Sequence, residues 1–279
     1  MAEAAPGGRP PRKAAALLKS LPWWLVLLVL LGGWALVSAL SSPGYRVILK
    51  AVSRGLGVTL AVSVAAYAAS LLLGLGLGLA RVSRARPARE AATFYIELVR
   101  GLPMLVILYY IAFVGAPALA AGLNSLLAPL IEAGVLAKVE VRGFDFATRA
   151  VLALTLGYAA FIAEIFRAGI ESVDKGQIEA AEALGLSHGQ ITRRVILPQA
   201  LRNVLPALAN EFVAVVKDSA LVSALGVQDI TQLGKVYAAS TFKFFETYNA
   251  VAFFYLCLTV SLSLLVRALE KRLKRSAAS

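Results

Sequence analysis

Charge is scarce in this chain. Asp, Glu, Lys and Arg make up 16% of its 279 residues, against about a quarter in an ordinary soluble domain. With 59% hydrophobic residues and a mean hydropathy of +0.76, that scarcity excludes a normal water-facing surface and predicts several bilayer spans. Cysteine is nearly missing. Cys257 stands alone, so no intrachain disulfide can form, and its apolar surroundings predict a small buried hydrophobe. Histidine is nearly missing too, and His188 reads as a surface or helix-linker residue rather than a catalyst or metal ligand. There is no hydrolytic constellation and no glycine-rich phosphate loop closing on Gly-Lys-Ser or Gly-Lys-Thr. The chain is therefore expected to be no enzyme and to hold no cofactor or metal. Any ATP hydrolysis that drives it has to come from another chain.

What is present is a series of apolar runs. Residues 1–22 are basic and rich in Gly and Pro and read as a disordered cytoplasmic tail. The run over 23–41 is just long enough to span a bilayer core. A signal peptide is its rival, because Val37-Ser38-Ala39 resembles a small-residue cleavage site. A second run covers 56–80, and its Gly74, Gly76 and Gly78 would let another helix approach closely. The third runs from about Ala92 to Val114, with Gly101 and Pro103 breaking or kinking it. That break is either a plain kink or a substrate-lining gate. Residues 115–145 are mixed, and read as an amphipathic segment on the outer surface or a short re-entrant piece. A fourth run covers 147–166, and a fifth covers 204–225 with Glu211, Lys217 and Asp218 inside it. Polar character returns over 226–245. The sixth run, 248–266, ends in a basic stop, followed by a cytoplasmic tail at 273–279.

The formal charge is +12. In a soluble protein that would suggest nucleic acid, but here the basic residues flank the apolar runs. Four in the first tail, five from Arg81 to Arg100, five from Arg167 to Arg202 and five from Arg267 to Arg275 fall on one side. This bias predicts six spans with both termini cytoplasmic, lipid around them and no nucleic-acid partner. No internal repeat is evident, which argues against half of an inverted-repeat carrier.

One polar interruption stands out, residues 164–206. Helix-forming residues at its centre are cut by Gly185, Ser187 and Pro198, which predicts two short helices with a joint. With Gln177 to Leu184 as a helix, Glu179, Ala180 and Ala183 share a face, and Ile178, Ala181 and Leu184 cover neighbouring angles. Small side chains there make a shallow surface on which a partner's backbone can sit. Without a partner, the same segment would be a rigid connection.

The spacing Glu179-Ala180-Ala181, Gly185, Val195-Ile196-Leu197-Pro198 resembles the cytoplasmic loop of bacterial ABC importer permeases, with Val195 where the family has Ile. Gly57-Val58-Thr59-Leu60, Glu97 to Pro103, Glu164 to Ile170, Gly176-Gln177, Leu197 to Arg202 and Lys217 to Leu221 narrow the resemblance to the polar amino acid uptake subfamily. Relatives often have Thr-Ser where this chain has Ser219-Ala220. The resemblance covers about Gly55 to Arg272. It implies an all-α type I permease domain over 55–272, with a coupling loop at 171–198 and one added N-terminal helix. It also implies a location in the bacterial inner membrane. Glu179, Ala180, Ala181, Ala183, Leu184 and Gly185 would seat in a groove of a cytoplasmic ATPase. Two ATPases carrying ATP and Mg, a second permease (identical or related) and an external binding protein would complete the machine.

Candidates for the substrate pathway are Glu97, Arg100, Pro103, Glu164, Glu211, Lys217 and Asp218. Buried charge in a span lines a cavity, pairs or moves. Glu97 and Glu164 also fit structural pairing with Arg100 and Arg167, each three residues on. Glu211, Lys217 and Asp218 lie deeper. The rival functions are a permease of the same architecture for another solute, such as an opine or organic cation, an ion-driven secondary transporter, and a non-transporting scaffold.

Overall fold

The computed structural model of the chain describes residues 41–275 and scattered positions between 23 and 37. The tail expected over 1–22, most of the first apolar run and residues 276–279 lie outside the described residues. The elements are helical throughout the described part. In chain order they are α1 (Pro43–Ser53), α2 (Leu56–Arg81), α3 (Arg86–Arg100), α4 (Met104–Tyr110), α5 (Ala116–Leu126), α6 (Ala128–Glu132) and α7 (Phe146–Glu171). There follow α8 (Lys175–Ala183), α9 (His188–Ile191), α10 (Leu197–Asp218), α11 (Ile230–Thr241) and α12 (Phe244–Arg275). Among the described residues four stretches are long and apolar enough to cross a membrane: Pro43–Arg81, Met104–Leu126, Phe146–Glu171 and Phe244–Ala268. The fold is thus all-α and polytopic.

The third apolar run is drawn differently from its hydropathy. Its first part is the separate helix α3. Leu102 leaves the helix, and Pro103 is extended at φ −60°, ψ 138°, as the N-cap of α4. A proline has no N–H to bond back four residues, and it pushes the residue before it out of the helical region. The stretch long and apolar enough to span therefore begins at Met104 and runs on to Leu126. This shortens the mixed segment expected over 115–145: residues 116–126 continue the apolar stretch, and α6 and a 3-10 turn at Val141–Gly143 lie between it and α7. The fifth run starts earlier than expected, at Leu197, and passes into a 3-10 turn at Ser219–Leu225. Arg202, Asn203, Asn210, Glu211, Lys217 and Asp218 dilute it, and it is not one of the four apolar stretches. The polar segment 226–245 is largely α11, packed on α1 and α12 through Ile48, Val52, Ile230, Ala250 and Val251.

The core is built where α2 meets α7. The buried face of α2 is small: Thr59, Ser63, Ala66, Ser70, Gly74 and Gly78 recur every three or four residues. A Cβ on Gly74 would stand 2.6 Å from Ile162 Cγ2, and one on Gly78 would stand 2.9 Å from Ala163 O. The helices touch backbone to side chain there, as small residues allow in lipid. Gly76, by contrast, has nothing within 4 Å and takes no part. Around this seam Val62, Leu108, Leu154, Val215 and Val222 draw α4, α10 and the 3-10 turn into one cluster. Cys257 is exposed on α12, not buried as its neighbours suggested, because that side of the helix faces away from the bundle.

Two π-helical turns, Ile111–Gly115 and Thr192–Ile196, have one cause. Each ends two residues before a proline, Pro117 or Pro198, whose ring would strike the carbonyl four residues back. Those carbonyls belong to Phe113 and Arg194, inside the two turns, and widening the turn relieves the clash. In the first turn the Ala116 N–H reaches Ile111 O, and Pro117 has no N–H for Ala112 O. Arg149 Nη1 donates to that carbonyl at 3.2 Å, and Ala112 is fully buried.

Candidate functional site

The polar interruption folds as a braced pair of short helices. Asp174 caps α8, its side chain accepting from Gln177 N at 3.3 Å. The helix closes on Gly185 at φ 75°, with Leu186 N donating to Ala181 O at 3.2 Å, a six-to-one closure that needs the left-handed conformation. Ser187 and Gln190 form a capping box that starts α9. One side-chain tie fixes α8 to α10, and a second joins the C-cap of α7 to α10. Gln199 Nε2 donates to Gln177 Oε1 at 2.6 Å, and Asn203 Nδ2 donates to Ser172 Oγ at 2.8 Å. His188 is an exposed residue of this joint.

Of the residues singled out on this unit, Glu179, Ala180, Ala183 and Gly185 are exposed. Leu184 is 81% exposed, and Ala181 is 5% exposed, turned inward. Ala181 therefore braces the helix, while the others form an outward knob with a bare leucine at its tip. Alanines around a solvated leucine on a helix end make a small apolar surface of the kind that fits a groove.

The pathway candidates separate into two groups. Towards the end of the bundle nearest α8, Glu97, Arg100 and Glu164 gather, but their pairing is not the expected one. Glu97 pairs with Arg81, not Arg100: Arg81 Nη2 to Glu97 Oε1 is 3.1 Å. Arg81 Nη1 also reaches Glu164 Oε2 at 2.8 Å. Glu164 pairs with Arg167 as expected, and Arg167 pairs with Glu171 in turn. Arg100 instead lies over the Phe161 ring, 5.9 Å from its centroid, and Pro103 is exposed. Arg81 was missed in the sequence because it stands at the head of an arginine-rich loop and reads as a topology signal.

The second group is on α10. Glu211 and Asp218 are two turns apart and both half-buried, whereas Lys217 is exposed on another face. Asp218 Oδ2 accepts from Tyr158 Oη at 2.8 Å. Tyr158 lies six residues before Glu164 on α7, roughly 9 Å further into the span at 1.5 Å per residue. Tyr67 Oη donates to Leu208 O at 2.7 Å, and its ring packs on Phe212 at 5.0 Å. The wall thus carries two carboxylates backed by aromatic rings. No run of sequence pointed to Tyr158, a lone phenol in an apolar helix. A cleft of about 710 Å³ lies elsewhere, between α5 and residues 138–141, lined by Pro117, Asn124, Lys138 and Glu140 among others. Among the described residues no group of His, Cys, Asp and Glu gathers as a metal ion would require.

Comparison with known proteins gives these features a family. Residues 70–275 match the model for the inner membrane component of binding-protein-dependent transport systems. The chain is 36% identical over 222 residues to a probable amino-acid permease protein, YxeN, of Bacillus subtilis (strain 168), covering 80% of this chain and 91% of that one. It is 38% identical over 218 residues to a probable glutamine ABC transporter permease protein, GlnM, of the same organism, covering 78% and 91%. Among solved structures it is similar to the crystal structure of an amino acid ABC transporter with histidines. That match has a TM-score of 0.68 at 36% identity and covers 84% of this chain and 97% of that one. The chain belongs to this family, as a non-catalytic permease subunit of a bacterial ABC importer of the polar amino acid uptake subfamily.

Proposed function

We propose that this chain, paired with a second permease, forms the inner-membrane pathway by which a polar amino acid enters the cell. Two separate ATPases holding ATP and Mg drive it, and an external binding protein delivers the substrate. The observation that carries this reading is α8. It is an exposed helix end that follows directly on α7 and is tied to α10 by Gln177–Gln199, while Ser172–Asn203 ties the end of α7 to α10. A knob held on both sides passes a push into α7 and α10, where a slack loop would absorb it. Coupling also requires contacts that differ between two states of the machine, which a groove opening and closing with ATP supplies. In this reading Glu179, Ala180, Ala183, Leu184 and Gly185 meet the ATPase and Ala181 supports them. The spans number six, counting 23–41 and α10, with both termini in the cytoplasm.

The substrate class is supported by the named relatives, an amino-acid permease and a glutamine permease. It is also supported by the half-buried carboxylates Glu211 and Asp218, which would receive an ammonium group in a medium where opposite charge counts for more. The test is reconstitution in proteoliposomes with the candidate ATPase, partner permease and binding protein. One amino acid should stimulate ATP hydrolysis and accumulate, and Ala180→Arg should abolish both. Assembly with a response only to an opine or organic cation would move the substrate class. Uptake driven by an ion gradient, with no ATPase bound, would overturn the reading.

A further inference from the structure

The ion pairs at the end of the bundle nearest α8 are arranged in series. Glu97 on α3 meets Arg81 on α2, Arg81 meets Glu164 on α7, Glu164 meets Arg167, and Arg167 meets Glu171. Glu171 is the last residue of α7, three before Asp174, the cap of α8. One guanidinium therefore stands between carboxylates on two different helices, at the head of a chain of charges that ends beside α8. Its fork suits that place: two separate N–H groups reach two acceptors at 2.8 and 3.1 Å, which a single ammonium cannot reproduce.

We infer that Arg81 is a positioning residue for coupling: it holds the last turn of α3 to α7 so that displacement of α8 moves them as one body. Two observations separate this role from plain stability. First, α3 is already held to α7 without it. Ile96, Val99, Ile107, Ala160 and Ala163 form an apolar cluster, and Tyr95 Oη donates to Leu156 O at 2.6 Å. Ile96 and Val99 bracket Glu97, and Ala163 adjoins Glu164, so the two helices keep an apolar contact beside the charges when Arg81 is removed. Second, the groups Arg81 joins carry the same sign. Removing it takes away the one group that touches both Glu97 and Glu164, leaving two like charges with only Arg167 and Arg100 near Glu164. The expected fault is thus a loosened junction of α3 with α7, not an unfolded chain. In that state ATP is hydrolysed while the displacement of α8 dissipates.

The inference rests on the ATP-driven reading, so the experiment scores the two separately. The complete importer is reconstituted, and substrate accumulated per ATP hydrolysed is measured. A wild-type complex with substrate-stimulated hydrolysis secures the underlying reading. Arg81→Gln should then assemble and hydrolyse ATP, with the transport-to-hydrolysis ratio reduced at least five-fold. Arg81→Lys should give an intermediate ratio. Glu97→Gln, at a side chain 60% exposed and safe for folding, should lower the ratio less than Arg81→Gln. Added to Arg81→Gln, it should restore part of the ratio by removing the repulsion. An unchanged ratio in Arg81→Gln overturns the inference. So does a double variant no better than Arg81→Gln, because the fault would then be lost packing rather than charge.

Discussion

Tyr158 donates its phenolic hydrogen to Asp218 Oδ2 at 2.8 Å, joining the middle of α7 to the last residue of α10. The bond orients a carboxylate that shares a face with Glu211 two turns earlier. If this wall receives the cationic end of a substrate, charge should matter more than the bond. Asp218→Asn can still accept from Tyr158 but carries no charge. Losing a charged contact of about 1.5–3 kcal/mol should raise KM for uptake by roughly 10- to 100-fold, with folding preserved. Tyr158→Phe should change KM less. Uptake kinetics in proteoliposomes decide it, and a wild-type KM in Asp218→Asn would take that residue off the pathway.

The glycines of α2 give a contrast within one helix turn. Gly74 faces Ile162 and the Ala159 carbonyl with no room for a side chain, while Gly76 faces open space. Gly74→Leu should force α2 from α7 and destabilise the bundle by at least the 1–3 kcal/mol typical of overpacking. Gly76→Leu should leave the folded subunit intact. Thermal unfolding in detergent should therefore lower Tm for the first and not the second. A Gly76→Leu subunit that folds but no longer pairs would place that face against the second permease.

Much of this was legible in the sequence, and the failures have physical causes. The pair of helices could be read because its signals are local: helix-forming residues cut by Gly185, Ser187 and Pro198. The ties that stiffen it could not, since Gln177 and Gln199 are 22 residues apart and nothing in either neighbourhood marks the other. The break at Gly101 and Pro103 was legible, and Pro103 caps the start of α4. The far end of the third run was placed too early, at Val114, because the helix continues past Pro117, which sits behind a π-turn that absorbs its clash. Charges at a helix end also carry two messages. Arg81 was counted for sidedness, and its role as a bridge depends on Glu97 and Glu164 arriving from other helices.

Gly185 tests whether the turn after α8 is a matter of backbone or of space. Its φ is 75°, and a Cβ there would meet nothing within 4 Å. The cost of a side chain is then conformational, about 1–2 kcal/mol for an L-residue in the left-handed region. Asn tolerates that region better than Ala, and a β-branched residue tolerates it worst. ATPase assembly should fall in the order Gly185→Asn, Gly185→Ala, Gly185→Val, measured by copurification at graded ATPase concentration. Equal loss in all three would point to a steric clash with the partner instead.

Arg149 makes the sharpest case for a side chain that repairs a backbone fault. It donates to Phe144 O at 2.8 Å, Val141 O at 2.9 Å and Ala112 O at 3.2 Å. The last is the buried carbonyl that Pro117 leaves without a donor. Arg149→Ala should therefore cost about 1–3 kcal/mol, the penalty of an unmet buried acceptor, and Arg149→Lys should recover only part, having no fork. The cause can be isolated with Pro117→Ala, which returns an N–H to the helix. If the proline creates the need that the arginine meets, Arg149→Ala should be less damaging in the Pro117→Ala background. The two effects would then fail to add by more than about 0.5 kcal/mol. Unfolding of the four proteins in one detergent measures the cycle. Additivity would mean that Arg149 serves only the loop carbonyls at Val141 and Phe144, and that the π-turn stands without it.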